Sequence, residues 1–234
     1  MLSWLDPQTL SRTYRDPIAW AILLVDLFPI YAIFAYGWDA TSLVFLYWLE
    51  NLVIGAMTLL RMAVTTVNWG PFGPTVMLVM GPFFTFHYGM FCFVHGVFLV
   101  VMAQLGAGSE PPFPTPTGVI DYALPSGRHM IVFVGAIIGL QMLLFLRDFL
   151  GRGEFRESDP MTEMAKPYGR IVVLHIGIFV GFGLMLALGQ PMLGVLGLIA
   201  LRAMWGVYQT VLRRIAIDEE QDDAAFKVDE ASRI

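Results

Sequence analysis

Long apolar runs separated by short polar stretches occupy the chain from residue 18 to residue 213. Runs rich in Leu, Ile, Val, Phe and Met lie at 18–37, 41–62, 76–104, 129–149, 168–189 and 191–213. Each is long enough to cross a hydrocarbon core of roughly 30 Å, which takes about 20 helical residues. The pattern predicts an all-α fold, a polytopic membrane helix bundle of about six transmembrane helices. The third run, about 29 residues, outruns that thickness at roughly 1.5 Å per residue, so it must tilt, protrude or break, and Pro82 is the place for a kink.

The basic residues sort to one side of these runs. Arg12 and Arg15 precede the first, Arg61 ends the second, and Arg147, Arg152, Arg156, Lys166 and Arg170 lie between the fourth and fifth. Arg213 and Arg214 close the sixth. The opposite connections are residues 37–40, the long 105–126 segment and the Gly189-Gln190-Pro191 turn, and Arg128 alone stands at any of their edges. Positively charged loops stay in the cytoplasm, so both termini are expected there, in a bacterial inner membrane. Pro111, Pro112, Pro114, Pro116 and Pro125 preclude a regular helix across the long outer segment and predict an ordered or extended cap. The polar stretch from Arg152 to Lys166 reads as a cytoplasmic loop or short surface helix.

Composition agrees with lipid as the main solvent. Of 234 residues, 57% are hydrophobic and 14% charged, with a mean hydropathy of +0.67, far above an average soluble domain. Residues 1–217 read as the bundle and 218–234 as an acidic cytoplasmic tail. That tail has seven acids against Lys227 and Arg233, which accounts for the whole net charge of -5. No basic stripe exists for a nucleic-acid partner. Cys92, the single cysteine, lies within an apolar run and rules out an intramolecular disulfide. The first run lacks a small-residue cleavage site and is expected to be retained as an anchor.

Ionisable side chains inside a bilayer are costly, and each marks a site or a specific pair. Six stand well inside the runs, away from their ends: Asp26, Glu50, His87, His95, His175 and Arg202. Counting about 1.5 Å per residue from the cytoplasmic end of each run puts Glu50, His87 and His175 between about 10 and 18 Å deep. They are the expected metal ligands, since two imidazoles and a carboxylate suit zinc, iron or manganese and leave positions open for water or substrate. His87 and His95 are about 12 Å and 80° apart on one helix and cannot share an ion. His95 is therefore expected at a second, cofactor-binding level with His129. Bis-histidine haem, through His87 with His175 or His95 with His129, is the alternative cofactor. The bland reading has the same side chains bonding to Tyr, Trp, Asn51 or backbone and gluing helices together.

Arg202, about eleven residues from either end of its run, calls for a carboxylate such as Glu50 or Asp26, or for an anionic substrate. Asp26, Asn51 and Tyr88 join it as substrate-contacting or charge-balancing candidates. Gly89 with Gly96, and Gly177 with Gly181, set small faces on the third and fifth runs that allow close helix approach.

The segments Tyr47-Trp48-Leu49-Glu50-Asn51 through Arg61, Phe83-Phe84-Thr85-Phe86-His87-Tyr88-Gly89 through Val94-His95-Gly96-Val97-Phe98, and Arg170 through Leu174-His175 resemble a family of bacterial membrane proteins known only as a domain of unknown function. The resemblance covers most of the chain. It implies that Glu50, Asn51, His87, Tyr88, His95 and His175 matter, and it implies no activity. The last span departs from the family pattern, carrying Arg202 where a Lys and an Asp are usual.

Three functional classes follow. The first is a membrane-embedded metalloprotein or metalloenzyme built on Glu50, His87 and His175. The second is a proton-coupled carrier in which Glu50, Asp26 and the histidines titrate, although no internal repeat is visible. The third is an accessory or assembly subunit of a larger membrane complex. The expected partners are the lipid bilayer and either further copies of the chain or that larger complex.

Overall fold

The computed structural model describes residues 11, 13–106 and 115–169, and beyond them residues 171, 172, 175, 176, 179, 183, 204, 206–208, 210–212 and 215. Among these every regular element is helical. The chain forms two compact units, one of Tyr31–Leu198 and one of Met1–Ile30 with Ile199–Ile234.

Helix α1 runs Pro17–Tyr36 with Pro29 inside it, and α2 runs Ala40–Thr65. Gly37, at φ 67°, closes α1 in the left-handed conformation that a residue without Cβ adopts cheaply. The Gly37 N–H then reaches Ile33 O at 3.1 Å and the Trp38 N–H reaches Ala32 O at 3.3 Å. Asp39 caps α2 by accepting the Ser42 N–H at 2.8 Å. A 3-10 stretch, Thr66–Phe72, follows α2 and breaks at Gly70 (φ 54°, ψ -133°) beside Pro71. The 62 consecutive residues Ala40–Val101 would be about 93 Å long as one rod. The break at Gly70 turns them into a hairpin of α2 against α3, Gly73–Gly106.

Among the described residues, three stretches are long and apolar enough to cross a membrane: Pro17–Tyr36, Ala40–Val101 and Met130–Gly151. Large apolar side chains on them lie open, among them Phe34, Leu78, Phe86 and Ile131, as lipid contact requires and water would penalise. Helix α3 continues unbroken through Pro82 for 34 residues, so the excess length expected of the third run is met without interruption. The fifth and sixth runs fall largely outside the described residues. The tail from 218 and Arg202 lie outside them entirely.

Residues 115–126 are more regular than the prolines of that stretch predict. Pro116 sits at the first position of a helix, α4 (Pro116–Ala123), where its missing N–H costs nothing. Thr115 caps it by accepting the Gly118 N–H at 3.1 Å. Helix α4 packs on both α2 and α3. Helix α5, Met130–Leu144, then gives way to a π-helical turn over Phe145–Gly151. A 3-10 turn at Glu154–Arg156 and helix α6, Pro160–Ala165, complete the described elements.

The Arc of residues 152–166 is more than a surface helix, because α6 packs against α2 and α3 and buries Glu163 completely. That carboxylate accepts the Ser158 hydroxyl at 2.6 Å and pairs with Lys166. Asn68 ties the same segment to the α2–α3 turn by donating to Phe155 O at 2.6 Å and Ser158 O at 3.1 Å.

The hairpin is held by two glycines that admit aromatic rings. A Cβ at Gly55 would stand 2.7 Å from Tyr88, and one at Gly96 would stand 2.6 Å from Val119 and 2.8 Å from Trp48. Trp48 also donates its indole N–H to Cys92 O at 2.7 Å. Gly96→Leu is therefore expected to destabilise by about 1–3 kcal/mol, the usual cost of overpacking. The check is a lower thermal midpoint in detergent with Gly89→Leu as control, since nothing lies within 4 Å of a Cβ at Gly89.

Asp159 caps α6, accepting from Met161 N at 2.9 Å, Thr162 N at 3.1 Å and the Thr162 hydroxyl at 2.7 Å. The Thr162 hydroxyl above all, with the two backbone N–H groups, holds its carboxyl below the ordinary 3.8. A depressed carboxyl stabilises fully above the unfolded value and loses that contribution as pH falls through the folded one. Asp159→Ala should cost about 1 kcal/mol of α6 stability. The ratio of hydrogen-exchange protection between wild type and this variant at Met161 and Thr162 should be constant above about pH 5 and fall toward one in stronger acid.

Candidate functional site

Two of the six intramembrane ionisable groups meet. His95, on α3, and His175 bring their Nε2 atoms to 2.9 Å, with ring centroids 4.0 Å apart and planes at 81°. His95 is buried, at 8% exposure, and His175 is half-buried. Each ring also bonds its own helix: Nδ1 of His175 lies 3.2 Å from Ile171 O, and the His95 ring bonds the Phe91 backbone. Both anchors are four residues earlier in the chain, which is where a helical side chain leans back to reach.

A carbonyl oxygen only accepts, so the ring nitrogen facing it carries the hydrogen. A neutral imidazole has one N–H, and His175 uses it on the Ile171 carbonyl. What remains at the His175 Nε2 is a lone pair, which faces the His95 Nε2. At 2.9 Å that lone pair meets either an N–H of His95 or a cation shared between the two rings.

The remaining candidates stand elsewhere. His87 is exposed on α3, with Nδ1 2.7 Å from the Tyr168 hydroxyl and its ring stacked on Phe83 at 5.4 Å. His129 caps α5 at φ 63° and lies edge-on to Tyr36 at 5.0 Å. Neither histidine pair named for haem, His87 with His175 or His95 with His129, is brought together. The second level expected around His95 does exist, but its companion is His175.

Glu50 is buried at 3% exposure, yet the helix turns it away from the histidines. Trp48 and Gly55 face α3, and Glu50 is about 160° around α2 from Trp48. It shares its face with Met57, which packs on Phe145 and Phe149 after α5. Among the described residues no group of three or more His, Cys, Asp and Glu side chains could hold a metal ion. Glu50, His87 and His175 thus form no common ligand set in this structure. Asn51 is buried and uses its backbone carbonyl to accept the Tyr88 hydroxyl at 3.1 Å, joining α2 to α3.

In the unit formed by the two chain ends, Asp26 is buried at 9% exposure against the last run. Its Oδ2 occupies the space that a Cβ on Gly206 would need, so only glycine gives that carboxylate room. Arg202 lies outside the described residues.

The sequence reading passed over Asp148, which lies in the π-turn at 2% exposure with Arg152 Nη1 at 3.3 Å and Arg147 Nε at 3.7 Å. Arg61 lies on the face of the adjacent Phe149, 5.0 Å from its centroid. The available signal was an acid flanked by arginines at the end of an apolar run. Burial of Glu163 had no comparable signal, because a short polar segment does not announce which face it buries.

A family model described as "Family of unknown function (DUF6498)" matches residues 8–223, and the chain belongs to that family. No curated protein and no solved structure matches it.

Proposed function

We propose that this member of the family is a multi-pass protein of the bacterial inner membrane whose working centre is the His95–His175 pair, the site of one divalent metal ion such as zinc, iron or manganese. The observation that carries this reading is the approach of the two Nε2 atoms to 2.9 Å, with Nδ1 of His175 held 3.2 Å from the Ile171 carbonyl. Metal-ligating histidines are held in this way, with the second ring nitrogen donating to a carbonyl that fixes tautomer and orientation. Two protein ligands leave the ion's other positions to water or substrate, which is the arrangement a metalloenzyme needs.

A proton is the second occupant worth naming, because 2.9 Å is also the length of an N–H···N hydrogen bond. That reading makes the pair a proton-binding station in a carrier, with the buried Asp26 as a separate titrating group.

Detergent-purified wild type is expected to hold about one metal ion per chain by elemental analysis. His95→Ala and His175→Ala should each lose it, while His87→Ala and His129→Ala keep it. A folded, metal-free wild type would remove the metal reading and leave the proton one. Retention of metal in both His95→Ala and His175→Ala would remove the pair as the site.

Charge sorting supports six spans with both ends in the cytoplasm. Reporter fusions after residue 67 and after residue 217 should read as cytoplasmic, and a fusion within 107–114 as external. An external reading at 217 would overturn the six-span topology without touching the histidine pair.

A further inference from the structure

We infer that the turn between α2 and α3 is a phospholipid-binding surface: Val67, Trp69 and Phe72 insert into the leaflet at that end of the bundle, and the turn does not stand in water. Its composition is the first observation. No Asp, Glu, Lys or Arg lies between Arg61 and Glu110, so the turn has none of the charge that a water-exposed connection between two spans ordinarily carries. Its surface is the second. The 3-10 stretch Thr66–Phe72 buries no residue, and Val67, Trp69 and Phe72 are all exposed, Phe72 at 72%. Thr75, Val79, Phe83, Phe86 and Met90 follow Phe72 at intervals of three or four residues and are exposed as well. That spacing is one face of a helix, so the patch at the turn is the lower end of the face that α3 turns to lipid.

Length agrees with this placement. Helix α3 has 34 residues, about 51 Å at 1.5 Å per residue, against roughly 40–45 Å for a bilayer with its headgroups. A tilt of about 30° brings both ends of such a helix within the headgroup layers. Asn68, the polar side chain at the tip, spends its amide on Phe155 O at 2.6 Å and Ser158 O at 3.1 Å, which ties the turn to the polar 152–166 segment. A protein partner would meet an apolar patch with a polar rim. Here the patch continues along α3 into more apolar surface, and Trp and Phe beside the Gly70-Pro71 break are side chains that settle where headgroups meet acyl chains.

Trp69 reports its own surroundings. In phosphatidylcholine nanodiscs, the emission missing from Trp69→Phe is the Trp69 signal. Acyl-brominated phosphatidylcholine is expected to quench that signal strongly and aqueous iodide weakly. Phe72→Trp in the Trp69→Phe background should restore emission that brominated lipid quenches, with helical circular dichroism unchanged in both variants. Quenching by iodide in preference to brominated lipid would overturn the inference by placing the turn in water. Quenching by neither would overturn it too, because a second copy or another protein would then cover the turn.

Discussion

The close approach of α2 and α3 is the constraint on which the rest of the larger unit depends. In lipid, apolar side chains gain little from leaving their solvent for one another, so helices associate through contact at short range and through polar bonds between them. Here both operate at the same places. Gly96 lets the Trp48 ring and Val119 lie against the α3 backbone, and the same Trp48 donates its indole N–H to the Cys92 carbonyl one turn below. Gly55 does the reverse, admitting the Tyr88 ring to α2 so that its hydroxyl reaches Asn51 O. Each helix offers a glycine to the other's aromatic residue, which fixes translation as well as rotation.

That rotation decides which buried polar groups meet. With Trp48 and Gly55 turned to α3, Glu50 falls on the opposite side of α2, the side on which Met57 packs on Phe145 and Phe149. On α3 the 80° between His87 and His95 leaves the first exposed and the second buried. The histidine pair is thus a consequence of the hairpin: once Gly96 is seated, His95 has one direction in which to point. The partner it finds there, His175, carries its own anchor on Ile171 O, so neither ring is free to turn away.

How much of this was legible in the sequence depends on whether the quantity repeats along one helix or relates two. Apolar run length located α1, α2, α3 and α5 to within a few residues, because crossing lipid fixes length. The small face containing Gly96 was legible too, since its spacing is a property of α3 alone. Depth across helices was not. Counting from each run's own start assumed a common floor, whereas α3 begins well below the fifth run: Tyr168, near the start of that run, already stands level with His87, fourteen residues into α3. The offset moved His175 from the level of His87 to that of His95. Azimuth was equally hidden, for Glu50 shares a depth range with the histidines while facing another helix. The short α4 was missed for a different reason, since prolines that forbid a helix across a segment also start one when the first sits at its N-terminus.

The two histidine contacts also carry topological information. His87 meets Tyr168 and His95 meets His175, separations of 81 and 80 residues, so the offset between the partners changes by only one residue over two turns. A constant offset is the signature of parallel segments; antiparallel ones would show a constant sum. Cys92 and Ile171, in one apolar cluster between the two contacts, fit the same register. Parallel neighbours need a return crossing between them, and α5 with its π-turn is the apolar stretch that supplies one. The α6 segment then packs against the low end of α3, where the extra length of that helix projects past the start of the fifth run. The excess length that seemed a problem for the third run is what gives α6 something to dock on, and what lifts His95 to the height of its partner.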